Sequence, residues 1–210
     1  MLTTIFSILA LTSAILDIWA DSKGRRLLVY LFKPLTMVFI LLVALRGSEP
    51  ATPFYKDGIL IGLGCSLVGD IFMMLPRKKF SEGLVSFLMA HIFYIAAFLT
   101  GLELHFDFWP SFPLLLYAVI MIAILFPQLG RMKIPVIIYL LVIITMARVA
   151  TERYIQIQSA KALSAFIGAL FFVISDSSLA VNRFVQKYKS GQALTLSAYF
   201  IAQWLIALSV

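Results

Sequence analysis

The sequence predicts an all-α polytopic membrane helix bundle, and its composition and hydropathy pattern support that fold class. Hydrophobic residues make up 62% of the 210 residues and charged residues 13%. The mean hydropathy is +1.01. Soluble domains average about 45–50% apolar and about 25% charged residues, so this chain has too few polar residues to cover a soluble core. The apolar residues form runs without two-residue alternation, which disfavours a membrane β-barrel.

Eight apolar runs predict eight transmembrane helices, each long enough for a hydrocarbon core about 30 Å thick. The predicted bounds are residues 3–20, 28–45, 58–75, 82–101, 110–126, 134–150, 160–181 and 193–210. Short connections with turn or breaker residues separate the runs, among them Lys23-Gly24, Arg46-Gly47, Pro76, Pro127, Gly130 and Ser190-Gly191. Residues 1–210 are therefore expected to form one integral membrane domain of antiparallel neighbours.

The distribution of lysine and arginine predicts the orientation. Lys23, Arg25 and Arg26 follow the first run, whereas a cleaved signal peptide has its basic residues before the apolar stretch. The odd-numbered connections carry eleven basic residues and the even-numbered ones carry four. Because positive residues accumulate in cytoplasmic loops, both termini are predicted to lie outside. The same bias accounts for the net charge of +7 without a nucleic-acid partner.

The sequence does not indicate a cofactor or metal. Cys65 is the one cysteine, which excludes an internal disulfide and a thiolate cluster. His91 and His105, the latter in the fourth connection, are too few for a three-histidine zinc site, and no ligand spacing indicates the Asp/Asp/His alternative. Motifs of serine hydrolases, ATPases and dinucleotide-binding enzymes are not found.

An internal repeat is suggested by two pairs of residues with identical spacing. Asp70 follows Gly62 in the third span as Asp176 follows Gly168 in the seventh. Halves with an even number of spans share one orientation, so the pattern suggests two parallel four-helix halves.

Ionisable and polar side chains within the spans predict a functional site, because such groups are costly in a membrane. Counting residues from the span ends places five in one layer of the inner half, Lys33, Asp70, Tyr139, Asp176 and Tyr199, with His91, Tyr94 and Gln203 just above. These side chains predict a polar cavity open toward the cytoplasm.

Ordinary structural roles compete with this interpretation. Lys33 can extend to the lipid headgroups, His91 can make an interhelical hydrogen bond, and the tyrosines can serve in packing. Asp17 and Trp19 are predicted to be interfacial. Three glycines are expected to form a close-packing face: Gly58, Gly62 and Gly64.

Short motifs in fixed order resemble the YhhN/lysoplasmalogenase family of membrane proteins. The motifs are Lys33-Pro34-Leu35; Gly69-Asp70; Phe80-x-x-Gly83-Leu84-x-Ser86-Phe87-x-x-x-His91-x-x-Tyr94; Ser175-Asp176-Ser177 with Leu179, Asn182 and Phe184; and Tyr199-x-x-x-Gln203. The resemblance covers nearly the whole chain. It implies hydrolysis of the vinyl-ether bond of lysoplasmalogens, which are lysophospholipids, to a fatty aldehyde and a glycerophospho-base.

The residues suit this chemistry. Vinyl-ether cleavage passes through an oxocarbenium ion, and a pair of carboxyl groups can supply the proton, the compensating charge and the activation of water. Asp70 and Asp176 are the expected catalytic residues, one of them protonated. The expected substrate-binding residues are Lys33, His91, Tyr94, Tyr139, Asn182, Tyr199 and Gln203. A bacterial inner membrane is the expected location, with the endoplasmic reticulum as the alternative.

Two other functions remain open at the level of sequence. Membrane aspartates and a parallel repeat also fit a proton-coupled carrier of small molecules or lipids. A lipid-binding or structural membrane protein without catalysis is the third interpretation. A hydrolase predicts a cavity closed toward the outside, whereas a carrier predicts access from both sides.

Overall fold

Helices form nearly all of the computed structural model, which describes residues 1–47, 52–75, 79–103 and 108–210. The long helices are α1 (Leu2–Ser22), α2 (Arg26–Leu45), α3 (Pro53–Met74), α4 (Phe80–Leu99), α5 (Phe108–Leu125), α6 (Lys133–Ile157), α7 (Ala160–Ala180) and α8 (Gly191–Leu208). Two 3-10 turns, Phe126–Gln128 and Gly130–Met132, join α5 to α6, and a π turn, Val181–Val185, follows α7. Eight helical segments in these ranges are long and apolar enough to cross a membrane, which confirms the predicted fold class. The predicted loop position of His105 lies outside the described residues.

Two helices extend further than the hydropathy pattern predicts. Helix α3 begins at Pro53, where the Thr52 hydroxyl accepts a hydrogen bond from the Tyr55 amide at 3.1 Å. Proline at the first helical position costs no hydrogen bond, since that N–H would lack a helical partner. Helix α6 continues to Ile157 and ends where Gln158 adopts a left-handed conformation with φ of 49°. Capping and chain reversal set these ends, and hydropathy reports neither.

Large apolar side chains cover the outside of the bundle. Leu11 on α1 is 63% exposed, Leu31 on α2 57% and Val119 on α5 64%. Exposed apolar surface of this extent would be unfavourable in water, and it matches a hydrocarbon environment. The protein is therefore an integral membrane protein in which the polar side chains must be sought between the helices.

Helix packing repeats between the two halves of the chain. In the first half α3 packs closely against α4, and in the second half α7 packs closely against α8. In the same way, α2 packs against α3 and α6 packs against α7. Between the halves, α4 contacts α6 and α8 contacts α2. These equivalent contacts support two parallel four-helix halves.

Glycine permits the closest of these approaches. A Cβ atom at Gly62 would lie 2.3 Å from Tyr94 Cε1, and one at Gly168 would lie 2.9 Å from Ile206 Cγ1. A Cβ at Gly64 would meet no atom within 4 Å, so the expectation that this glycine belongs to the close-packing face is wrong.

Candidate active site

A buried ion pair joins α2, α3 and α8 near one end of the bundle. Asp70 is 1% exposed, and its Oδ1 lies 2.9 Å from the Nζ of Lys33. The Tyr199 hydroxyl donates a hydrogen bond of 2.6 Å to the other carboxylate oxygen. Gly69 allows α4 to approach here, since a Cβ at that position would lie 2.9 Å from the Phe87 ring. We call Lys33, Asp70 and Tyr199 the Asp70 cluster; its charge and hydrogen bonds offset the cost of burying a carboxylate.

A second carboxyl group lies between α4, α6 and α7. The Tyr139 hydroxyl donates a hydrogen bond of 2.5 Å to Asp176 Oδ2, and His91 Nε2 lies 3.8 Å from the same oxygen. His91 is fully buried, and neither of its ring nitrogens has a hydrogen-bond partner among the described residues. An imidazolium without hydrogen bonds would be costly to bury, so the site suits a neutral imidazole. We call Tyr139, Asp176 and His91 the Asp176 cluster.

Aromatic rings connect the two clusters. The Phe172 ring centroid lies 4.6 Å from that of His91 and 5.7 Å from that of Tyr199. Beside them, the Tyr94 hydroxyl donates a hydrogen bond of 2.7 Å to Gln203 Oε1. The described contacts include none that joins Asp70 directly to Asp176, and the two carboxyl groups are linked through these rings.

The clusters occupy equivalent places in the two halves. Tyr139 follows Lys33 by the same number of residues by which Asp176 follows Asp70. Each aspartate contacts the preceding helix of its own half, and each also contacts the last helix of the other half. The equal separation therefore identifies Tyr139 as the counterpart of Lys33 in the second half. The Gly–Asp spacing alone does not show this.

Two cavities lie beside the clusters. The first, the end cavity, has a volume of about 420 Å³ and is lined by Asp17, Asp21, Gly24, Arg26, Val29, Tyr30, Lys33, Met73, Met74, Leu75, Gln192 and Leu196. The second, the side cleft, is narrow, with a volume of about 40 Å³, and lies among α3 to α7 with Tyr139 and Asp176 on its wall. Met73 lines both spaces, so a flexible thioether stands between them. The end cavity lies where the α1–α2 connection meets the end of α3, the end predicted to be cytoplasmic.

Polar contacts join the helices at the opposite end of the bundle. Arg153 is buried, and its guanidinium donates hydrogen bonds to the backbone oxygens of Phe98 and Thr100 at 3.1 and 2.8 Å. The hydroxyls of Tyr55 and Ser209 lie 2.6 Å apart, also buried. Buried hydrogen bonds therefore hold the helices together at this end, as the one-sided access of a hydrolase requires.

The structure places most of the predicted site residues together. Lys33, Asp70 and Tyr199 form one cluster, His91, Tyr139 and Asp176 the other, and Tyr94 and Gln203 adjoin them, as described above. Asn182 is the exception, because its side chain accepts a hydrogen bond of 3.3 Å from the Tyr188 amide and packs on Gly191. Asn182 therefore stabilises the turn between α7 and α8 rather than contacting either cluster.

Sequence reasoning missed Asp17. The prediction that Asp17 is interfacial is wrong, since its side chain is 0% exposed and lines the end cavity. Trp19 is 43% exposed, with the Arg25 guanidinium 4.9 Å from its ring, as an interfacial residue should be. The available signal was Asp21, which lies one helical turn after Asp17 and so shares its face of α1.

Metal binding by a carboxylate and histidine cluster has no geometric basis in the part of the chain that the structure describes. There, no group of three or more His, Cys, Asp and Glu side chains is arranged to hold an ion. The reactive groups that these clusters provide are carboxyl, hydroxyl, imidazole and ammonium groups.

Comparison with known proteins assigns the chain to a family. The YhhN family model matches residues 28–210. The relative named "Uncharacterized membrane protein YhhN" from Escherichia coli O6:H1 is 29% identical over 199 residues, 94% of each chain. Lysoplasmalogenase TMEM86B of Sus scrofa is 33% identical over 82% of this chain and 71% of its own. Lysoplasmalogenase TMEM86A of Homo sapiens is 34% identical over 72% of this chain and 64% of its own. No solved structure matches. With its eight membrane-spanning helices and its family match over most of the sequence, the chain belongs to the YhhN family.

Proposed function

We propose that this protein hydrolyses the vinyl-ether bond of a lysoplasmalogen, with Asp176 as the proton donor. The observation that carries the proposal is the pair of buried carboxyl groups, each hydrogen-bonded to a tyrosine. Asp176 lies on the wall of the side cleft, and Asp70 is paired with Lys33, which lines the end cavity. The relatives named lysoplasmalogenase support the choice of reaction. The contacts of Arg153 and Tyr55 at the opposite end favour a hydrolase over a carrier with two-sided access.

The two aspartates differ in electrostatic environment, and that difference assigns their roles. Asp70 pairs with the Lys33 ammonium, and that positive charge favours its carboxylate form. Asp176 has a tyrosine and a histidine as neighbours, and no lysine or arginine lies within ion-pair distance among the described residues. A buried acid without a cationic partner is favoured in its neutral form, which is the form that donates a proton.

The reaction balances with these groups. Asp176 transfers its proton to the β-carbon of the vinyl ether, which leaves an oxocarbenium ion and an aspartate anion. Water adds to the α-carbon and returns a proton to that carboxylate, giving a hemiacetal. The hemiacetal then collapses to the fatty aldehyde, and its proton passes to the departing glycerol oxygen. In this mechanism His91, 3.8 Å from the carboxyl oxygen, would orient the water, and the Asp70 carboxylate would offer negative charge to the cation.

The apolar lining of the side cleft suits the first carbons of an alkenyl chain, and with a volume of about 40 Å³ the cleft must widen to admit more of the chain. Most of its lining side chains are aliphatic, aromatic or methionine, with Tyr139 and Asp176 as the polar exceptions on one wall together with Ser177 and Arg183. A chain in the cleft would bring its first carbons to Asp176, and its headgroup would lie beyond Met73, in the end cavity. Ligand sites commonly combine such an apolar lining with a few polar groups that fix orientation.

The test is product formation by the purified protein in detergent. We expect a fatty aldehyde from a lysoplasmalogen and no fatty acid from its ester-linked analogue. Asp176→Asn should lower kcat by about 10²–10⁴-fold, the range for loss of a general acid. Asp57→Asn is the matched control, because Asp57 is exposed and lies near the start of α3, at the other end of that helix from Asp70. This variant should retain full activity.

Each other outcome has a distinct meaning. Fatty acid from the ester would keep a hydrolase but reject the vinyl-ether substrate. Full activity of Asp176→Asn alongside an inactive Asp70→Asn would reverse the assigned roles. No product from folded wild-type protein would reject the hydrolase and favour a carrier or a lipid-binding protein.

A further inference from the structure

The end cavity contains a buried carboxylate without a partner. Asp17 is 0% exposed, and neither carboxylate oxygen has a hydrogen-bond partner among the described residues. Buried polar groups are nearly always hydrogen-bonded, and a buried charge without a partner is costlier still. Since Asp17 lines the cavity, a ligand that donates hydrogen bonds there would satisfy it.

The charges around Asp17 favour a cationic ligand. Asp17 interacts electrostatically with Lys33, Asp70 and Asp21. Lys33 uses one of its three ammonium donors for Asp70, at 2.9 Å, and makes no hydrogen bond to Asp17. Arg26, the other cation among the described lining residues, is exposed. Two acidic side chains, Asp17 and Asp21, therefore face the cavity, and no buried cation among the described residues pairs with either of them.

The neighbouring donor does not satisfy Asp17 either. The Tyr30 hydroxyl, also on the lining, donates a hydrogen bond of 3.3 Å to the Met74 backbone oxygen. Among the lining residues that the structure describes, Tyr30 is the one aromatic side chain. Quaternary ammonium groups lack N–H donors and are typically held by several aromatic rings. A primary ammonium, with three donors, fits this lining better than a trimethylammonium.

Cationic side chains lie on the same lining for an anionic group. Arg26 and Lys33 are two turns apart on α2, so both side chains point to one face of that helix. Arginine and lysine are common phosphate ligands. The cavity thus pairs carboxylates from α1 with cations from α2, and its volume of about 420 Å³ is within the range for small-molecule pockets.

We propose that the end cavity binds the phosphoethanolamine headgroup of the lysophospholipid, with Asp17 and Asp21 receiving the primary ammonium and Arg26 and Lys33 the phosphate. This inference rests on the proposed function and specifies its substrate class. It makes the protein selective for ethanolamine over choline lysolipids.

Binding of lipids that cannot be hydrolysed tests the inference separately from catalysis. Saturated 1-O-alkyl lysophosphatidylethanolamine and its choline counterpart have no vinyl-ether bond, so their affinities do not depend on turnover. For the purified protein in detergent, titration calorimetry should show at least about tenfold tighter binding of the ethanolamine lipid. Asp17→Asn should remove most of that preference, because an amide supplies no charge to the ammonium.

Controls separate headgroup recognition from general damage. Asp21→Asn, a change at a half-buried position, repeats the test in case Asp17→Asn does not fold. Asp57→Asn, exposed and remote, should keep the wild-type preference. Equal affinity of the wild type for both lipids would overturn the inference. So would an equal loss for both lipids in the folded Asp17 or Asp21 variant. Ethanolamine preference without aldehyde release would retain this site and reject the hydrolase.

Discussion

Replacement of Lys33 by methionine tests the buried ion pair most directly. Lys33→Met keeps a similar apolar stem but leaves Asp70, which is 1% exposed, without its cation. Removing one partner of a buried ion pair typically costs about 3–5 kcal/mol. Asp70 would keep the 2.6 Å hydrogen bond from Tyr199, so we expect the lower end, about 3 kcal/mol. At about 2–4 °C per kcal/mol for a chain of this size, the unfolding midpoint should fall by about 6–12 °C.

The double variant Lys33→Met/Asp70→Asn distinguishes an ion pair from simple packing. It removes both charges while asparagine can still accept the Tyr199 hydrogen bond, so stability should return to within about 1 kcal/mol of wild type. Unfolding can be followed with a thiol-reactive fluorophore, because Cys65 on α3 is the one cysteine and is partly buried. A double variant as unstable as Lys33→Met, or a single variant as stable as wild type, would refute the reasoning.

Two further predictions concern packing and the proton donor. Gly62→Ala should destabilise the protein by about 1–3 kcal/mol, because its Cβ would lie 2.3 Å from Tyr94 Cε1. Gly64→Ala, with open space at its Cβ, should be neutral or stabilise by up to about 1 kcal/mol, and equal unfolding temperatures for the two variants would contradict this. Tyr139→Phe should lower the kcat for aldehyde release at least about tenfold by freeing Asp176, with a stability change near 1 kcal/mol. Unchanged kcat would show that the 2.5 Å hydrogen bond does not position the acid.

The sequence predicts how far along its helix each polar residue lies. It does not predict whether the side chain points into the bundle or toward lipid. Each residue advances a helix by 1.5 Å, so counting from the span ends placed Lys33, Asp70 and Asp176 near one end of the bundle. The inward face of a soluble helix is read from its apolar stripe. These helices are apolar on all sides, so no such stripe marks the face that turns into the bundle. The sequence therefore predicts an interfacial Asp17, although its side chain is buried between the helices.

Partners across the bundle were also beyond sequence reasoning. Tyr199 reaches Asp70 from more than a hundred residues away, and His91 approaches Asp176 from the other half of the chain. These contacts depend on how α4 and α8 cross between the halves, which spacing within a span does not encode. Asn182 shows the same limit, since nothing in its motif indicates that its side chain hydrogen-bonds within the turn after α7.

The repeat explains how one fold provides two carboxyl groups with different chemistry. Asp70 and Asp176 occupy equivalent positions, so helix packing alone would give them the same environment. Their neighbours break that equivalence, because Lys33 stands in the first half where Tyr139 stands in the second. An ammonium favours the charged form of its aspartate, whereas a phenol beside a neutral imidazole supplies no positive charge. Two carboxyl groups whose environments differ in this way can serve as the acid and as the anion of one reaction. The proposed mechanism therefore requires that the two halves of the repeat differ where one has Lys33 and the other has Tyr139.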